Sequence, residues 1–484
     1  MTRYAKIVCT LGPTSSDEQT IRELVNAGMN VARLNFSHGT HESHEALINI
    51  IRRISAEMKR PIAILQDLQG PKLRVGDLPA EGISLQTGMV VNLYAIESAA
   101  PQQIAGEIYL PLDVPNLARA VKEGNRILLD DGHMELQVTG VKNDTVITKV
   151  VLGGLLTSHK GVNLPGADLR IPIPTEKDKA DLKFGLAQKV DFVAISFVHS
   201  AEEIRTVREL ILADQPGKKG PGIIAKLERP EAIHNLHEII HEADGVMVAR
   251  GDLGVETSPS LVPIIQKEII HMANRHAKVV ITATQMLDSM IHNPRPTRAE
   301  ASDVANAVFD GTDAVMLSGE TANGSYPVES VKMMDSIVRE AETHYEEWGH
   351  AVDFPKDALQ DDAIAMTRAA RELAHDRKVS SCAVLTQTGR TALLMSKARP
   401  RVPIMGFTPN KNVFNLCSMY WGVEPVLIPF VDSLEGVVQS VDTVLQREHH
   451  YKKGEQVILI TGFPLPALHL PNLALLHNIG EKVQ

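Results

Sequence analysis

Asp191-Phe192-Val193-Ala194-Ile195-Ser196 sets four consecutive apolar residues between two polar ones. A run of that length without polar alternation suits a strand covered on both faces, so that only its carboxyl end, here Ser196, reaches solvent. The first two thirds of the chain hold eight such runs. In order they close on Gly12; on Arg33 and Asn35 with Ser37; on Asp67; on Ser196; on Lys226 with Glu228; on Arg250 with Asp252; on Thr284; and on Ser318 with Glu320. Eight buried parallel strands alternating with helices predict an α/β fold, a closed (β/α)8 TIM barrel. In such a barrel, groups from the ends of different strands meet at one mouth.

Working outward, helical periodicity in Glu18 to Ala27 and His41 to Met58 separates the first runs. After Gly70-Pro71 the texture changes. Met134-Glu135-Leu136-Gln137-Val138 alternates at period two, and Lys142-Asn143-Asp144 makes a turn before Val146 to Val151, the pattern of an antiparallel hairpin. An all-β lid domain is therefore expected inside the barrel, ending near Leu164-Pro165-Gly166. Strand and helix alternation resumes at Asp191 and continues to about Ala341, and the segment Trp348 to Gln360 is expected to be a linker. Beyond it, Ser381 to Leu385, Val402 to Phe407, Val426 to Ile428 and Val457 to Ile460 predict a smaller open α/β domain. The expected division is a barrel over 1–71 and 166–345, a lid over 72–165 and a carboxyl-terminal domain over 346–484.

The chain has 484 residues, 44% hydrophobic and 22% charged, which is globular composition and too long for one core. A formal net charge of -10, with Lys and Arg dispersed, gives no footprint for nucleic acid. Cys9, Cys382 and Cys417 are few, odd in number and without metal-ligand spacing, which suits free thiols in a reducing cytosol. The start runs straight into the first strand, and no run approaches membrane-spanning length, so a cytoplasmic protein with no membrane partner is expected.

Two carboxylates at successive strand ends, Glu228 and Asp252, can share one divalent ion. Mg2+ prefers few protein carboxylates and takes its other oxygens from water and substrate. Lys226, two residues before Glu228, points to the same interior, where a fixed ammonium stabilises charge on a transferring phosphoryl group or an enolate. The competing reading is a structural ion pair between Lys226 and Glu228. Arg33 supplies a planar fork for phosphate, with Asn35, Ser37 and His38 beside it, and Asp67-Leu68-Gln69-Gly70-Pro71 ends the third strand. An Arg can equally pair with a neighbouring acid. The Thr284 hydroxyl can orient water or relay a proton, although capping a helix is the commoner task for Thr.

These residues sit in stretches that resemble the pyruvate kinase family over nearly the whole chain: Lys6 to Pro13 (KIVCTLGP), Val31 to Gly39 (VARLNFSHG), Ser158 to Pro165 (SHKGVNLP), Val246 to Val255 (VMVARGDLGV), Ala283 to Met290 (ATQMLDSM) and Met316 to Thr321 (MLSGET). The resemblance implies Mg2+-dependent transfer of phosphate from phosphoenolpyruvate to ADP, giving pyruvate and ATP, with Mn2+ as a possible substitute. It makes Arg33 the substrate-phosphate arginine, Lys226 the lysine on the transferring group, and Glu228 and Asp252 the metal ligands. The backbone at Ala249 and Gly251 would lie against the substrate carboxylate, and Thr284 near the enolate carbon that is protonated. Arg74 and Lys160 would contact the nucleotide from a lid that closes over the phosphates and excludes water. Ser318 and Glu320 would be structural residues near the mouth, and the assembly a homotetramer.

Two departures from the family pattern bear on regulation. Many members bind K+ through the equivalents of Asn35, Ser37, Asp67 and a threonine, and carry a glutamate shortly after; here those last two positions are Leu68 and Lys72. The expectation is an enzyme that needs no K+, with the Lys72 ammonium supplying the charge. The alternative is a merely solvated Lys72 and a Leu68 carbonyl that still meets an ion. In the last domain, Thr386-Gln387-Thr388-Gly389-Arg390-Thr391 follows a strand, where hydroxyls and exposed amides can cradle a phosphate. In the family this place binds the phosphate of an effector. Gln387 stands where fructose-bisphosphate-responsive members often have lysine, and Gly462 to Leu468 holds no basic residue, so an effector with one phosphate is expected. A polar helix cap without ligand is the alternative. Fold and metal pair alone also fit a lyase acting through a pyruvate enolate, or a catalytically silent sensor. Arg74 and Lys160 argue against the first, and the full set of catalytic residues against the second.

Overall fold

The computed structural model describes residues 3–98, 100–101, 104, 106–167, 171–217, 219–350, 354, 361–465 and 469–481. The eight runs become β1 (Lys6–Leu11), β2 (Val31–Asn35), β3 (Ala63–Asp67), β4 (Phe192–Ile195), β5 (Gly222–Leu227), β6 (Gly245–Ala249), β7 (Val279–Ala283) and β8 (Ala314–Leu317). They close a barrel in the order β1-β8-β7-β6-β5-β4-β3-β2, every neighbour parallel. The two faces of each strand bury different partners. Val8, Leu65, Ala194, Ile224, Met247 and Ile281 fill the barrel interior, while Ile7, Leu34, Ile64, Val193 and Val248 pack on the surrounding helices.

Side chains along a strand alternate faces, so the residue two positions beyond an interior one faces inward again, one layer nearer the mouth. Val8 is followed in this way by Thr10, Val31 by Arg33, Leu65 by Asp67, Ala194 by Ser196 and Ile224 by Lys226. The polar mouth is the next layer of the apolar core.

The helices Glu18–Ala27 and His41–Met58 form where periodicity placed them. Asp17 caps the first by accepting the Thr20 amide at 2.9 Å, and Thr40 caps the second through a reciprocal pair with Ser43.

Between β3 and β4 the chain builds a seven-stranded sheet from segments between Arg74 and Asn163, around Leu93, Leu112, Leu129 and Leu136. The hairpin Met134–Lys142 with Thr145–Leu152 turns at Asn143-Asp144, where Asn143 is left-handed at φ 55°. The inserted domain is not wholly β, because Leu117–Ala120 forms a single helical turn.

The carboxyl-terminal strands β9 (Ser381–Leu385), β10 (Ile404–Thr408), β11 (Val423–Leu427), β12 (Gln456–Thr461) and β13 (Leu473–Asn478) order as β11-β10-β9-β12-β13. The antiparallel edge strand β13 is absent from the sequence reading. Residues Leu473 to Leu476 are half-buried, and their mixed exposure leaves no clean period. Of the expected linker, Trp348 instead ends a short helix, Tyr345–Trp348, and 351–353 and 355–360 lie outside the described residues.

The amino end of the barrel is closed by this last domain. Val8, Val31, Ala63 and Ala314 belong to one apolar cluster with Cys417, Met419, Tyr420 and Val423. Polar ties cross the same junction: the Lys6 ammonium donates to the Val423 carbonyl at 2.7 Å, Lys397 pairs with Asp313, and Arg399 donates to Asp313 at 2.8 Å.

Burial lowers the Lys6 ammonium from 10.5 to about 8. Between those values the unfolded chain binds more protons than the folded one. The group's contribution to stability therefore rises with pH across that window, and is lost as pH falls through 8. Thermal unfolding of the natural protein and of Lys6→Met should show their stability difference moving in favour of the natural protein from pH 8 to 10. A difference that stays constant over that range contradicts this account.

Candidate active site

The inward layer at the mouth is one connected network. Thr10 Oγ1 accepts Arg33 Nη1 at 2.9 Å, and Arg33 Nε donates to Asp67 Oδ2 at 2.7 Å. Lys226 Nζ donates to Ser196 Oγ at 2.7 Å, and lies 2.9 Å from Glu228 and 3.3 Å from Asp67. Ser196 in turn donates to the Leu68 carbonyl at 2.7 Å, and the Phe197 amide donates to Glu228 at 2.6 Å. Both ion-pair readings of the sequence, Arg33 with a neighbouring acid and Lys226 with Glu228, are therefore present as contacts. They do not exclude chemistry, because a ligand-free site must neutralise its own charges.

Burial alone would lower the Lys226 ammonium, but Asp67 and Glu228 outweigh it and raise its pKa, so it stays charged. Burial would likewise raise Asp67, yet Lys226 and Arg33 hold it below the ordinary carboxylate value. Asp252 is compensated only in part, because Lys226 and Lys72 lower it less than its surroundings raise it. Burial first, and then the like charge of Glu228, push it up to about 6.

Asp252 lies in the first turn of the helix Arg250–Glu256, directly after β6, so the amides of that turn open toward the mouth beside it. The Gly251 amide donates to Thr284 Oγ1 at 2.8 Å, and that hydroxyl donates to the Ala283 carbonyl at 2.7 Å. Thr284 is not a helix cap. It and Gln285 are both left-handed, at φ 67° and 52°, an outlier for a β-branched residue. Such conformations cost about 1–3 kcal/mol each and persist where the surroundings enforce them. Glu320 accepts the Leu287 and Ser318 amides at 3.0 and 2.7 Å, so it ties together the loops after β7 and β8.

A cavity of about 130 Å³ opens between this network and the inserted domain. Arg33, Asn35, Ser37, Lys226, Glu228 and Asp252 line it from the barrel, with Lys72, and Asp131 and Asn163 face it from the other side. Ala249, Gly251, Thr284, Arg74 and Lys160 are not in its wall. Arg74 and Lys160 are nonetheless neighbours, because Arg74 bridges to Gly161 and donates to the His159 carbonyl at 2.8 Å. Lys160 pairs with Asp130 at 2.8 Å. The Leu68 side chain is 1% exposed and belongs to the core, while its carbonyl already accepts Ser196. Lys72 is exposed at the cavity rim.

In the last domain, Thr386 to Thr391 form the turn from β9 into the helix Arg390–Ala398. Gly389, left-handed at φ 86°, donates its amide to Thr386 Oγ1 at 3.0 Å. The Arg390 amide meets Thr388 Oγ1 at 3.4 Å, and Gln387 donates to the Leu465 carbonyl at 3.1 Å. A cavity of about 80 Å³ lies against this turn, and His469, one residue past the stretch read as lacking basic groups, shares its wall. Residues 466–468 lie outside the described residues.

Two larger cavities, about 900 and 780 Å³, sit at the junction of barrel and last domain, away from the charged mouth. Chemistry rather than volume singles out the small one. Sequence reading named Ser196 only as a strand end at the mouth, without a role, and omitted Thr10 and the Phe197 amide. Thr10 and Ser196 carry a legible signal, since each stands two positions beyond an interior residue. The Phe197 amide has none, being a backbone group in a left-handed turn at φ 58°.

A family model described as pyruvate kinase, barrel domain, matches residues 2–331, and one described as pyruvate kinase, alpha/beta domain, matches 362–475. Among full-length relatives, the pyruvate kinase of Sporosarcina psychrophila is 40% identical over 481 residues, 99% of this chain and 81% of the relative. That of Clostridium acetobutylicum is 40% identical over 461 residues, 95% of this chain and 96% of the relative. Pyruvate kinase 2 of Synechocystis is 43% identical over 466 residues, 95% and 76% of the two chains.

Proposed function

The chain belongs to the pyruvate kinase family, and from that premise we propose how its residues divide the reaction of phosphoenolpyruvate with ADP. It is a phosphotransferase that forms pyruvate and ATP. Family membership sets aside the lyase and the silent sensor. The observation that carries the division of roles is the Lys226 ammonium, held charged between Asp67, Glu228 and Ser196 beside Arg33.

Arg33 binds the substrate phosphate, exchanging one of its present partners for the phosphate oxygens through the fork. Lys226 lies against the transferring group and stabilises the charge it carries as an ADP oxygen bonds to phosphorus and the old P–O pair leaves on the enolate oxygen. The amides at Ala249 and Gly251 hold the substrate carboxylate, which requires Thr284 to release the Gly251 amide it occupies. The C2–O bond then becomes a carbonyl while the C2–C3 pair takes a proton at C3 from water relayed through the Thr284 hydroxyl. Arg74 and Lys160 hold the nucleotide phosphates from the lid.

The family's reaction depends on a divalent metal, and Glu228 with Asp252 fits one. Among the described residues no group of three or more His, Cys, Asp or Glu could hold an ion, so protein ligation would rest on these two carboxylates. Burial first, and then the like charge of Glu228, raise the Asp252 pKa, and a cation bound there would offset both. Mg2+, with Mn2+ as substitute, would supply positive charge for the phosphoryl oxygens there.

K+ independence rests on Leu68, whose side chain is core and whose carbonyl is occupied, and on Lys72 at the cavity rim. Pyruvate formation with Mg2+ in K+-free buffer tests both the reaction and this feature. Rapid turnover that changes less than about twofold on adding K+ at constant ionic strength is expected. Lys72→Glu should lower K+-free activity at least tenfold, an order of magnitude set by about 1.4 kcal/mol of lost charge stabilisation. A severalfold gain with K+ in the natural protein overturns the proposal.

For the effector, a sugar or nucleoside monophosphate is the preferred ligand of Thr386, Gln387, Thr388, Gly389, Arg390 and Thr391. The Thr386 and Thr388 hydroxyls, which accept backbone amides but keep their own O–H for a ligand, support it, as do the start of a nine-residue helix and Arg390, paired with Asp361 at 3.4 Å. Isothermal titration should give heat with a monophosphate and weaker binding of fructose bisphosphate; the reverse order counts against it. The same reading includes a homotetramer, a cytoplasmic location and the division at 71/72, 165/166 and 345/346. No helix among the described residues is long and apolar enough to cross a membrane.

A further inference from the structure

Arg250 has no part in the division of roles above, yet it is the most heavily bonded side chain at the mouth. Its guanidinium donates to the Thr284 carbonyl at 2.7 Å, to the Ala283 carbonyl at 3.2 Å and to the Gln285 carbonyl at 3.3 Å. It meets Met286 Sδ at 2.9 Å and forms an ion pair with Asp303 at 2.6 Å. The Arg250 side chain is 10% exposed. Three consecutive carbonyls therefore converge on one planar, permanently charged fork, a geometry that lysine's point charge does not reproduce. Two of them belong to the left-handed residues Thr284 and Gln285.

Arg250 is also the first residue of the helix whose next two positions are Gly251 and Asp252. It thus locks the end of β7 to the end of β6. On one side of the lock is the Thr284 hydroxyl; on the other are the amide and carboxylate assigned to substrate carboxylate and metal. Asp303, on the helix Arg298–Phe309, fixes the fork from outside the mouth.

We propose that Arg250, anchored by Asp303, is a positioning residue for the protonation half of the reaction: it holds the Thr284-Gln285 backbone so that the Thr284 hydroxyl delivers the proton to one face of the enolate. The inference rests on the role given to Thr284 above. Without the clamp the turn relaxes toward ordinary backbone angles, the hydroxyl swings off the enolate carbon, and solvent protonates both faces.

The test is the stereochemistry of the new methyl group. Phosphoenolpyruvate carrying deuterium at one defined C3 position is turned over in tritiated water by the full-length enzyme, with Mg2+ and ADP, and the enantiomeric ratio of the chiral methyl group in pyruvate is measured. That ratio does not depend on the active fraction, so a merely structural defect leaves it unmoved. The natural protein should give predominantly one enantiomer, and Thr284→Val should lose the preference. In Arg250→Gln the ratio should fall at least about tenfold, since displacing a reacting group by about 1 Å can cost on the order of 100-fold. Asp303→Asn should give a smaller fall, and Arg250→Lys should recover part of the preference. If Arg250→Gln is too unstable to purify, Asp303→Asn and Arg250→Lys decide alone. Loss of preference in Thr284→Val with full preference in the Arg250 and Asp303 variants overturns the clamp but keeps the role of Thr284. Full preference in Thr284→Val overturns that role, and the clamp with it.

Discussion

Lys226→Met should lower kcat at least about 1,000-fold while the protein remains folded. Removing a single neutral donor from a site of developing charge costs about 100- to 1,000-fold, and Lys226 brings a full charge in a nearly dry setting. Its side chain is 12% exposed, and its partners Asp67 and Glu228 are 1% exposed, so no water replaces it. The same substitution leaves those carboxylates without their shared cation. Removing one partner of a buried pair typically destabilises by about 3–5 kcal/mol, visible as a fall in thermal midpoint. Steady-state kinetics on protein checked by thermal unfolding measures both effects. A variant within tenfold of the natural kcat would return Lys226 to a purely structural role.

The second large effect is on metal. Asp252→Asn should raise the divalent ion concentration for half-maximal activity more than about 100-fold, because loss of an outer-shell partner alone costs about 10- to 100-fold and here one of two protein ligands goes. The natural protein should show a matching pH dependence. Asp252 holds its proton up to about 6, so as pH falls through 6 an entering ion must displace that proton, and the half-saturating concentration climbs about tenfold per pH unit. The sign for stability is opposite. The folded state binds this proton more tightly than the unfolded chain does, so in the absence of metal the group adds stability as pH falls from 6 toward 3.8. Titration of Mn2+ by its paramagnetic signal at several pH values reads the affinity without turnover. An affinity unchanged in Asp252→Asn would contradict the assignment.

The barrel was legible because each of its strands is a closed apolar run with a polar terminus, and the polar mouth follows from extending those runs by one more inward step. Arg33, Asp67 and Lys226 could therefore be named before any coordinates. What stayed hidden had no side-chain signal. The Phe197 amide and the carbonyls of Ala283, Thr284 and Gln285 that Arg250 clamps are backbone groups, and Phe197, Thr284 and Gln285 are left-handed, where residue type is a poor guide to conformation. β13 escaped because an edge strand with half-buried residues lacks both the continuous run of a central strand and the alternation of a two-sided one. His469 was passed over because the loop was read only as far as Leu468, and the cavity wall includes the residue just past that end.

The floor of the barrel has a bearing on how this protein can change over generations. Val8, Val31, Ala63 and Ala314 are sealed by Cys417, Met419, Tyr420 and Val423, which belong to the last domain. A reading frame that lost that domain would leave a greasy opening under the catalytic layer, and one that acquired a foreign replacement would have to match its contours. The two parts are thus not interchangeable cassettes. Loops such as Thr386 to Thr391 contribute no residue to that apolar seal and can drift without opening it, while lineages descended from this chain inherit barrel and last domain as one piece.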